Sequence, residues 1–462
     1  MGRLAVLILA AGKGTRMKSD RAKVLHPVGG LPMLEYVVRA ARSVSHEVSV
    51  VVGYQAERVM ASVGDVGFVR QARQLGTGHA VIAARRAIEG ASEVLILPGD
   101  VPLVSAGVLG AFVDFYRGGE FAGAVLTATL EDPSGYGRII RRSRHEIDRI
   151  VEDCDANAEI RQIREVNSAI CAFDVARLLE ALDKLGTENT QGEYYLTDVV
   201  GLLSEEGSRI GAFEAPDPTE TLGINSRREL AAADRLLRRR KCDSLMNEGV
   251  SIMDPESAWI DTDVRIGPDS IIYPFVTIEG ASVLASETTV RSFTRLTDTN
   301  VGRRSTILEN CVIEQSEIHD NVQIGPSARM RPGCVLEDGV KIGNFVELKR
   351  SRLGKGTRAG HLSYLGDTET GRNVNVGAGT ITCNYDGLRK HPTLIGDNVF
   401  IGSDSQLIAP VRIGKGAYVA AGSTITEDVP AHALAIGRAR QTVKKGWAKK
   451  RAEKAGTKGR KD

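Results

Sequence analysis

Apolar residues in the C-terminal half of the chain recur every six positions. Ile395, Ile401, Leu407, Ile413, Val419 and Ile425 stand one hexad apart; Ile318, Ile324, Met330, Leu336, Ile342 and Leu348 keep the same interval, and Ile266, Ile272 and Ile278 begin it. Neither the helical period of about 3.6 residues nor the simple alternation of a half-buried strand has that spacing. A three-faced solenoid does. Each flat face takes one short strand, one inward residue per hexad fills the core, and the next sits near a corner where glycine fits, as it does after Ile395, Ile401 and Ile413. Three hexads then close one turn of a left-handed parallel β-helix. The beat breaks at Leu353 and through Asp367–Pro392, where loops are expected to leave the prism. Excursions from a rigid scaffold are where chemistry tends to sit. The repeat alone leaves a purely structural solenoid as the lesser alternative.

The pattern changes in the N-terminal half. β-branched runs at Ala5–Ala10, Val48–Val52 and Val94–Leu97 alternate with helical patterns at Met33–Arg42 and Gly78–Arg86, which predicts a mostly parallel sheet covered by helices. The fold class is therefore α/β, with a Rossmann-like unit over residues 1–225 and a left-handed β-helix over 251–440. Residues 226–250 read as one basic amphipathic helix between them, its charges a solvated face. The Lys-rich stretch 441–462 is low in apolar residues and is expected to be disordered.

Composition narrows the functional classes. The chain has 462 residues, too many for one ordinary core, and its 50 glycines against 5 % aromatics suit a glycine-cornered solenoid. A net charge of +2 argues against nucleic acid as a partner. The six cysteines form no CxxC pair and no metal-ligand spacing, which points to free thiols in a reducing compartment. No apolar run approaches the length that crosses a bilayer. The run Arg3–Ala11 reads as a buried strand entering a loop rather than a signal peptide, so the expected location is cytoplasmic, with no membrane partner.

That loop, Leu9-Ala-Ala-Gly-Lys-Gly-Thr-Arg-Met17, matches neither the dinucleotide fingerprint nor the P-loop. It is a small-residue turn that exposes backbone N–H groups, followed by Arg16 and Lys23, whose charge suits a polyphosphate. A glycine-rich turn alone is as well read as structural. With Lys23-Val-Leu-His26-Pro27, Gln74-Leu-Gly-Thr-Gly-His-Ala80 and Gly99-Asp100-Val-Pro-Leu103, however, the segment resembles the signature of sugar-1-phosphate nucleotidyltransferases. Joined to a hexapeptide solenoid, the chain resembles the bacterial bifunctional N-acetylglucosamine-1-phosphate uridyltransferase/glucosamine-1-phosphate acetyltransferase family over all but roughly its last dozen residues.

The resemblance implies two reactions and two sites. In the N-terminal unit Asp100 and Asn225 would hold Mg²⁺, Arg16 and Lys23 would stabilise the transferring phosphate of UTP, and Leu9, Ala10, Ala11, Gly12, Gln71, Gly76, Thr77, Gly137, Glu152, Asn167 and Asn225 would contact uracil and sugar. In the solenoid His361 would be the base for glucosamine-1-phosphate, with Arg331 and Lys349 on its phosphate and Tyr364 and Asn375 on its sugar. Acetyl-CoA would lie against Ala378, Asn384, Tyr385, Ser403, Ala421 and Arg438, in a groove between neighbouring solenoids, which implies a homotrimer. A histidine suits the role because its ordinary pKa is near neutrality. Lys390 either reaches a neighbour's site or is simply solvated; His26, His46, His79, His145 and His319 are expected to be structural, and His391 and His432 to be surface residues. Two departures from the family pattern stand out: Ala22 where proline is usual and Pro98 where many members have tyrosine. The alternatives are a single-activity nucleotidyltransferase with a scaffolding solenoid, and a regulatory protein with dead sites. His361 with Arg331, Lys349 and the Asn384-Tyr385 loop weighs against the first, and intact Lys23, Asp100, Asn225 and His361 against the second.

Overall fold

The computed structural model describes residues 2–458, which divide into two compact units between Lys241 and Cys242. In the first, a mixed sheet runs in the order Ile210–Glu214, Gly123–Thr129, Glu165–Asp174, Glu93–Pro98, Leu4–Ala10, Val48–Val52 and Gly67–Arg70. Every neighbouring pair on that path is parallel except those made by Glu165–Asp174, which is antiparallel to both its neighbours. Arg138–Arg141 and Ile147–Val151 form a hairpin at its flank. Leu4–Ala10 lies mid-sheet between two parallel partners, which is why it reads as a nearly unbroken apolar run. Apolar clusters cover both faces of the sheet. Pro98 ends its strand opposite Leu9; the ladder bond to Leu9 O comes from the Gly99 N–H at 2.9 Å, so the pairing of these two strands needs no N–H from Pro98.

The helix Arg227–Asn247 runs past the division between the units. Much of it belongs to the first: Ala233, with Leu230, Leu236 and Leu237, packs on Val28, Met33 and Leu103, and Asp234 Oδ1 accepts the Gly29 N–H at 2.8 Å. A linker reading for the whole of this helix is therefore too generous.

The second unit is a parallel β-helix. Three sheets of eleven, ten and nine short strands take one strand each from successive coils, and neighbouring strands within each sheet are parallel. Ile395, Ile401, Leu407, Ile413, Val419 and Ile425 are all buried in one continuous core, as are the earlier hexad residues. At Leu353 no loop leaves the prism; it pairs in register with Leu336 and stays buried, and the coil is merely one residue short of three hexads. The real excursion is Asn384–His391, a small hairpin closed by the His391 N–H to Asn384 O bond at 2.8 Å and a Tyr385–Lys390 bridge.

The tail differs from expectation. Trp447–Lys458 is a helix, exposed where its side chains are described, with Arg451 stacked 5.1 Å over the Trp447 ring. Low hydrophobicity argues against a packed element, but Ala, Lys, Glu and Arg are strong helix formers. Residues 459–462 lie outside the described residues. No described helix is long and apolar enough to cross a membrane.

Candidate active sites

In the N-terminal unit, Leu9 and Ala10 end a central strand, and Ala11 and Gly12 begin the loop beyond its carboxyl end. Asp100 follows the adjacent parallel strand, so both segments open on the edge where α/β sheets bind ligands. Gly14 takes φ 67°, and a Cβ there would meet the Lys23 side chain at 2.6 Å; only glycine lets the loop fold back on Lys23. The side chains then converge. Lys23 Nζ pairs with the Asp100 carboxylate and reaches Asn225 Oδ1 at 3.0 Å, and Arg16 donates to the same Asn225 oxygen at 2.9 Å. Asn225 is held by a capping box at the start of the following helix: Glu229 accepts the N–H groups of Asn225 (2.5 Å) and Ser226 (2.8 Å), while the Ser226 hydroxyl accepts the Glu229 N–H at 3.2 Å. The Ser-x-x-Glu signal was available in the sequence and identifies Glu229 as a support for the site.

The remaining residues form two walls joined by one segment. Gln71, buried, donates to Gly76 O at 3.2 Å and lies 2.9 Å from His79 Nδ1; Gly76 has φ 108°, and a Cβ there would strike Tyr194 O at 2.5 Å. Across from it the Asn167 N–H donates to Gly137 O at 2.9 Å. Asn167 precedes a bulge in its strand, where its Oδ1 accepts the N–H of Ala169 at 2.9 Å and Ala169 takes φ 62°. The Glu152 carboxylate lies against Gly137. Burial raises its pKa, the Thr197 hydroxyl bond opposes the rise, and Asp198, Asp155 and Asp153 add to it. Tyr194–Thr197 ties the walls together: Leu196 N–H donates to Thr77 Oγ1 at 3.1 Å and Thr197 Oγ1 donates to Glu152 at 2.9 Å. This segment carried no signal that sequence reasoning used.

In the solenoid, register decides which residues meet. Asn344 pairs with His361, and the next coils bring Ala378, Ser403 and Ala421 to the same corner position; Asp404 N–H to Ala378 O (2.7 Å) and Gly422 N–H to Ser403 O (2.8 Å) fix the column. Arg438 Cδ closes it, 3.9 Å from a Cβ built on Gly422. The exposed His361 imidazole contacts Asn344 Oδ1 through Nδ1 at 2.7 Å. With that oxygen as acceptor, Nδ1 carries the hydrogen and Nε2 keeps its lone pair. Asn344 was not singled out from sequence; only coil register puts it beside His361.

The adjoining face holds the cations. Met330 pairs with Leu348, so Arg331 and Lys349 stand side by side, with Tyr364 on the next strand opposite Glu347. Arg331 lies 3.4 Å from Glu347. Lys390 folds back within its own chain and meets Lys349, whose pKa is lowered first by that contact, then by lost hydration and by Lys390, Arg331 and Arg350 charge. Asn384 is buried against Asp367, while Tyr385 is exposed on the hairpin and donates to Gly387 O at 2.6 Å. Asn375 stands apart from Arg331, Lys349 and Tyr364, on a different sheet of the helix.

A nucleotide-type loop facing an acidic strand end, and a hexapeptide solenoid with a histidine at one corner, define a two-unit transferase. Residues 6–195 match the MobA-like NTP transferase domain, and residues 315–350 and 392–427 match the bacterial transferase hexapeptide of six repeats. Proteins named bifunctional protein GlmU align over nearly the whole chain: that of Koribacter versatilis is 46 % identical over 98 % of both chains, that of Pelobacter propionicus 48 % over 97 % of this chain and 98 % of its own, and that of Thermotoga maritima 47 % over 97 % and 100 %. The chain belongs to the bifunctional GlmU family.

Proposed function

We propose that this chain makes UDP-N-acetylglucosamine in two steps: the solenoid moves the acetyl group of acetyl-CoA to glucosamine-1-phosphate, and the N-terminal unit joins the product to UTP, releasing pyrophosphate. The observation that carries the reading is the convergence of Arg16, Lys23 and Asp100 on Asn225 in one unit, together with the Asn344-held His361 in the other.

In the first step the substrate ammonium must lose a proton before nitrogen attacks the thioester carbonyl. His361 Nε2 accepts that proton, Asn344 keeps the ring turned so that this nitrogen is the open one, and the thiolate of CoA leaves. Arg331, Lys349 and Lys390 are a cluster of cations in which Arg331 pairs with Glu347, and such a cluster suits a sugar phosphate. Tyr364 and Asn375 take the sugar. Acetyl-CoA follows the corner column Ala378–Ser403–Ala421 towards Arg438, with Asn384 and Tyr385 at its side.

In the second step the phosphate oxygen of N-acetylglucosamine-1-phosphate attacks the α-phosphorus of UTP and pyrophosphate departs in line. Catalysis is positioning of two anions and neutralisation of their charge. Arg16 and Lys23 supply that charge, and Leu9–Gly12 with Gln71, Gly76 and Thr77 form the nucleotide wall. Gly137, Glu152 and Asn167 take the sugar. Asp100 and Asn225 suit Mg²⁺ as ligands: their oxygens already share one cation, the Lys23 ammonium, and two hard protein oxygens beside phosphates are this ion's usual setting. When bound, the ion neutralises phosphate charge.

The assembly proposed is a homotrimer. One corner of the solenoid carries Phe275, Phe293, Phe345 and Leu362, each more than half exposed and each at positive φ (60°, 61°, 57° and 48°). Large apolar residues in the left-handed region, open to water, are costly unless covered. Leu362 adjoins His361, so a second copy on this edge would complete the acetyl site, including the role of Asn375 from another face. The proposed location is cytoplasmic. The first test is a pair of separate assays, acetylation of glucosamine-1-phosphate and uridylylation of N-acetylglucosamine-1-phosphate, on parent, His361→Ala and Lys23→Ala chains.

A further inference from the structure

The loop that presents Arg16 and Lys23 has few apolar anchors: Met17 and Ala22 are buried, whereas Gly12, Lys13, Thr15, Arg16, Lys18, Asp20 and Arg21 are exposed. Both of its stems are fastened to one turn, Tyr54–Gln55. Tyr54 N–H donates to Ala11 O at 3.1 Å and its hydroxyl donates to Asp20 O at 3.1 Å. Gln55 Nε2 donates to the same Asp20 carbonyl at 2.6 Å, while Gln55 Oε1 accepts the Ala22 N–H at 3.1 Å. One carboxamide therefore grips the chain at two points just before Lys23. Gln55 itself holds φ 52°, a conformation that non-glycine residues adopt at a cost and that persists where the surroundings demand it.

We propose that Gln55 is a positioning residue for uridylyl transfer: its carboxamide clamps Asp20 and Ala22 and so holds Lys23 and Arg16 in place against Asp100 and Asn225. This rests on the reading of the N-terminal cleft given above. Ala22 explains why the clamp matters in this chain. Its φ of −53° lies within the range a proline ring imposes, so a proline at 22 would stiffen the approach to Lys23 by covalent geometry. Alanine leaves that torsion free, and the N–H bond to Gln55 takes over the constraint.

The test uses the full chain with Gln55→Asn. Asparagine tolerates the left-handed backbone, but its side chain is one methylene too short to hold residues 20 and 22 together. The kcat for uridylyl transfer should fall on the order of ten- to hundredfold, the cost of a misplaced catalytic group. Acetyl transfer by the same preparation, and KM for N-acetylglucosamine-1-phosphate, should stay within about twofold of the parent. Adding Ala22→Pro to Gln55→Asn should restore most of the lost kcat and slow the amide exchange of residues 12–23 that the single variant speeds up. Parent-level kcat in Gln55→Asn, or a double variant no faster than the single one, overturns the proposal. Absence of uridylyl transfer in the unsubstituted chain overturns the reading of the cleft and the role of Gln55 with it.

Discussion

His361 and Asn344 are neighbours across adjacent coils, with Nδ1 and Oδ1 2.7 Å apart, so the open nitrogen of the ring is Nε2. Removing the base should cost far more than releasing it. His361→Ala is expected to lower acetyl transfer by about 10²- to 10⁴-fold, the usual contribution of a general base, and to leave uridylyl transfer near the parent value. Asn344→Leu should lower acetyl transfer less and alter its pH profile, because the ring loses its fixed tautomer while the base remains. Equal loss of both activities in either variant would indicate misfolding instead.

Glu229 predicts an effect without touching substrate. Glu229→Ala strips partners from the Asn225 and Ser226 N–H groups, and loss of such a cap costs about 1 kcal/mol. Urea unfolding should report that loss, and uridylyl transfer should weaken because Asn225 is no longer fixed. Unchanged stability would mean the capping box is not formed in solution.

The cores and strand ends were legible from sequence because they rest on period: the hexads name the buried residues of the solenoid, and the apolar run before Gly12 names a central strand. What sequence could not give depends on coil length. Asn344 meets His361 only because the coil between them is one residue short of three hexads, and Lys390 reaches Lys349 only because the Asn384–His391 hairpin folds back. Gln55 was invisible for another reason. Its contacts follow from a left-handed backbone that its residue type does not announce.

Burial raises the Glu152 pKa, so the folded state binds the proton more tightly than the unfolded chain. Above the ordinary glutamate value of 4.5 the unfolded carboxyl ionises first, and native stability falls as pH rises to the raised folded value, beyond which this contribution is level. Glu152→Gln removes that loss. Its stability relative to the parent should therefore climb through this window in denaturant titrations of the full chain, while a pH-independent difference would contradict the buried, desolvated carboxylate.

The apolar corner makes assembly testable. Phe275→Ser with Phe293→Ser removes two rings stacked 5.2 Å apart at 3° between planes. Sedimentation should shift from trimer towards monomer and acetyl transfer should fall with it, while uridylyl transfer persists. A parent chain that sediments as a monomer yet acetylates normally would sink the trimer.

Chelation separates the two chemistries. EDTA should abolish uridylyl transfer and spare acetyl transfer, and Asp100→Asn should raise the Mg²⁺ concentration needed for half-maximal uridylyl transfer, since one charged oxygen ligand is lost.

The most direct measurement is a mass-spectrometric product assay on the full chain with glucosamine-1-phosphate, acetyl-CoA, UTP and Mg²⁺, run beside a control without acetyl-CoA. UDP-N-acetylglucosamine formed only when acetyl-CoA is present is the predicted result and establishes both steps in order. Conversion of supplied N-acetylglucosamine-1-phosphate with no acetylated product from glucosamine-1-phosphate would contradict it and leave the solenoid a scaffold.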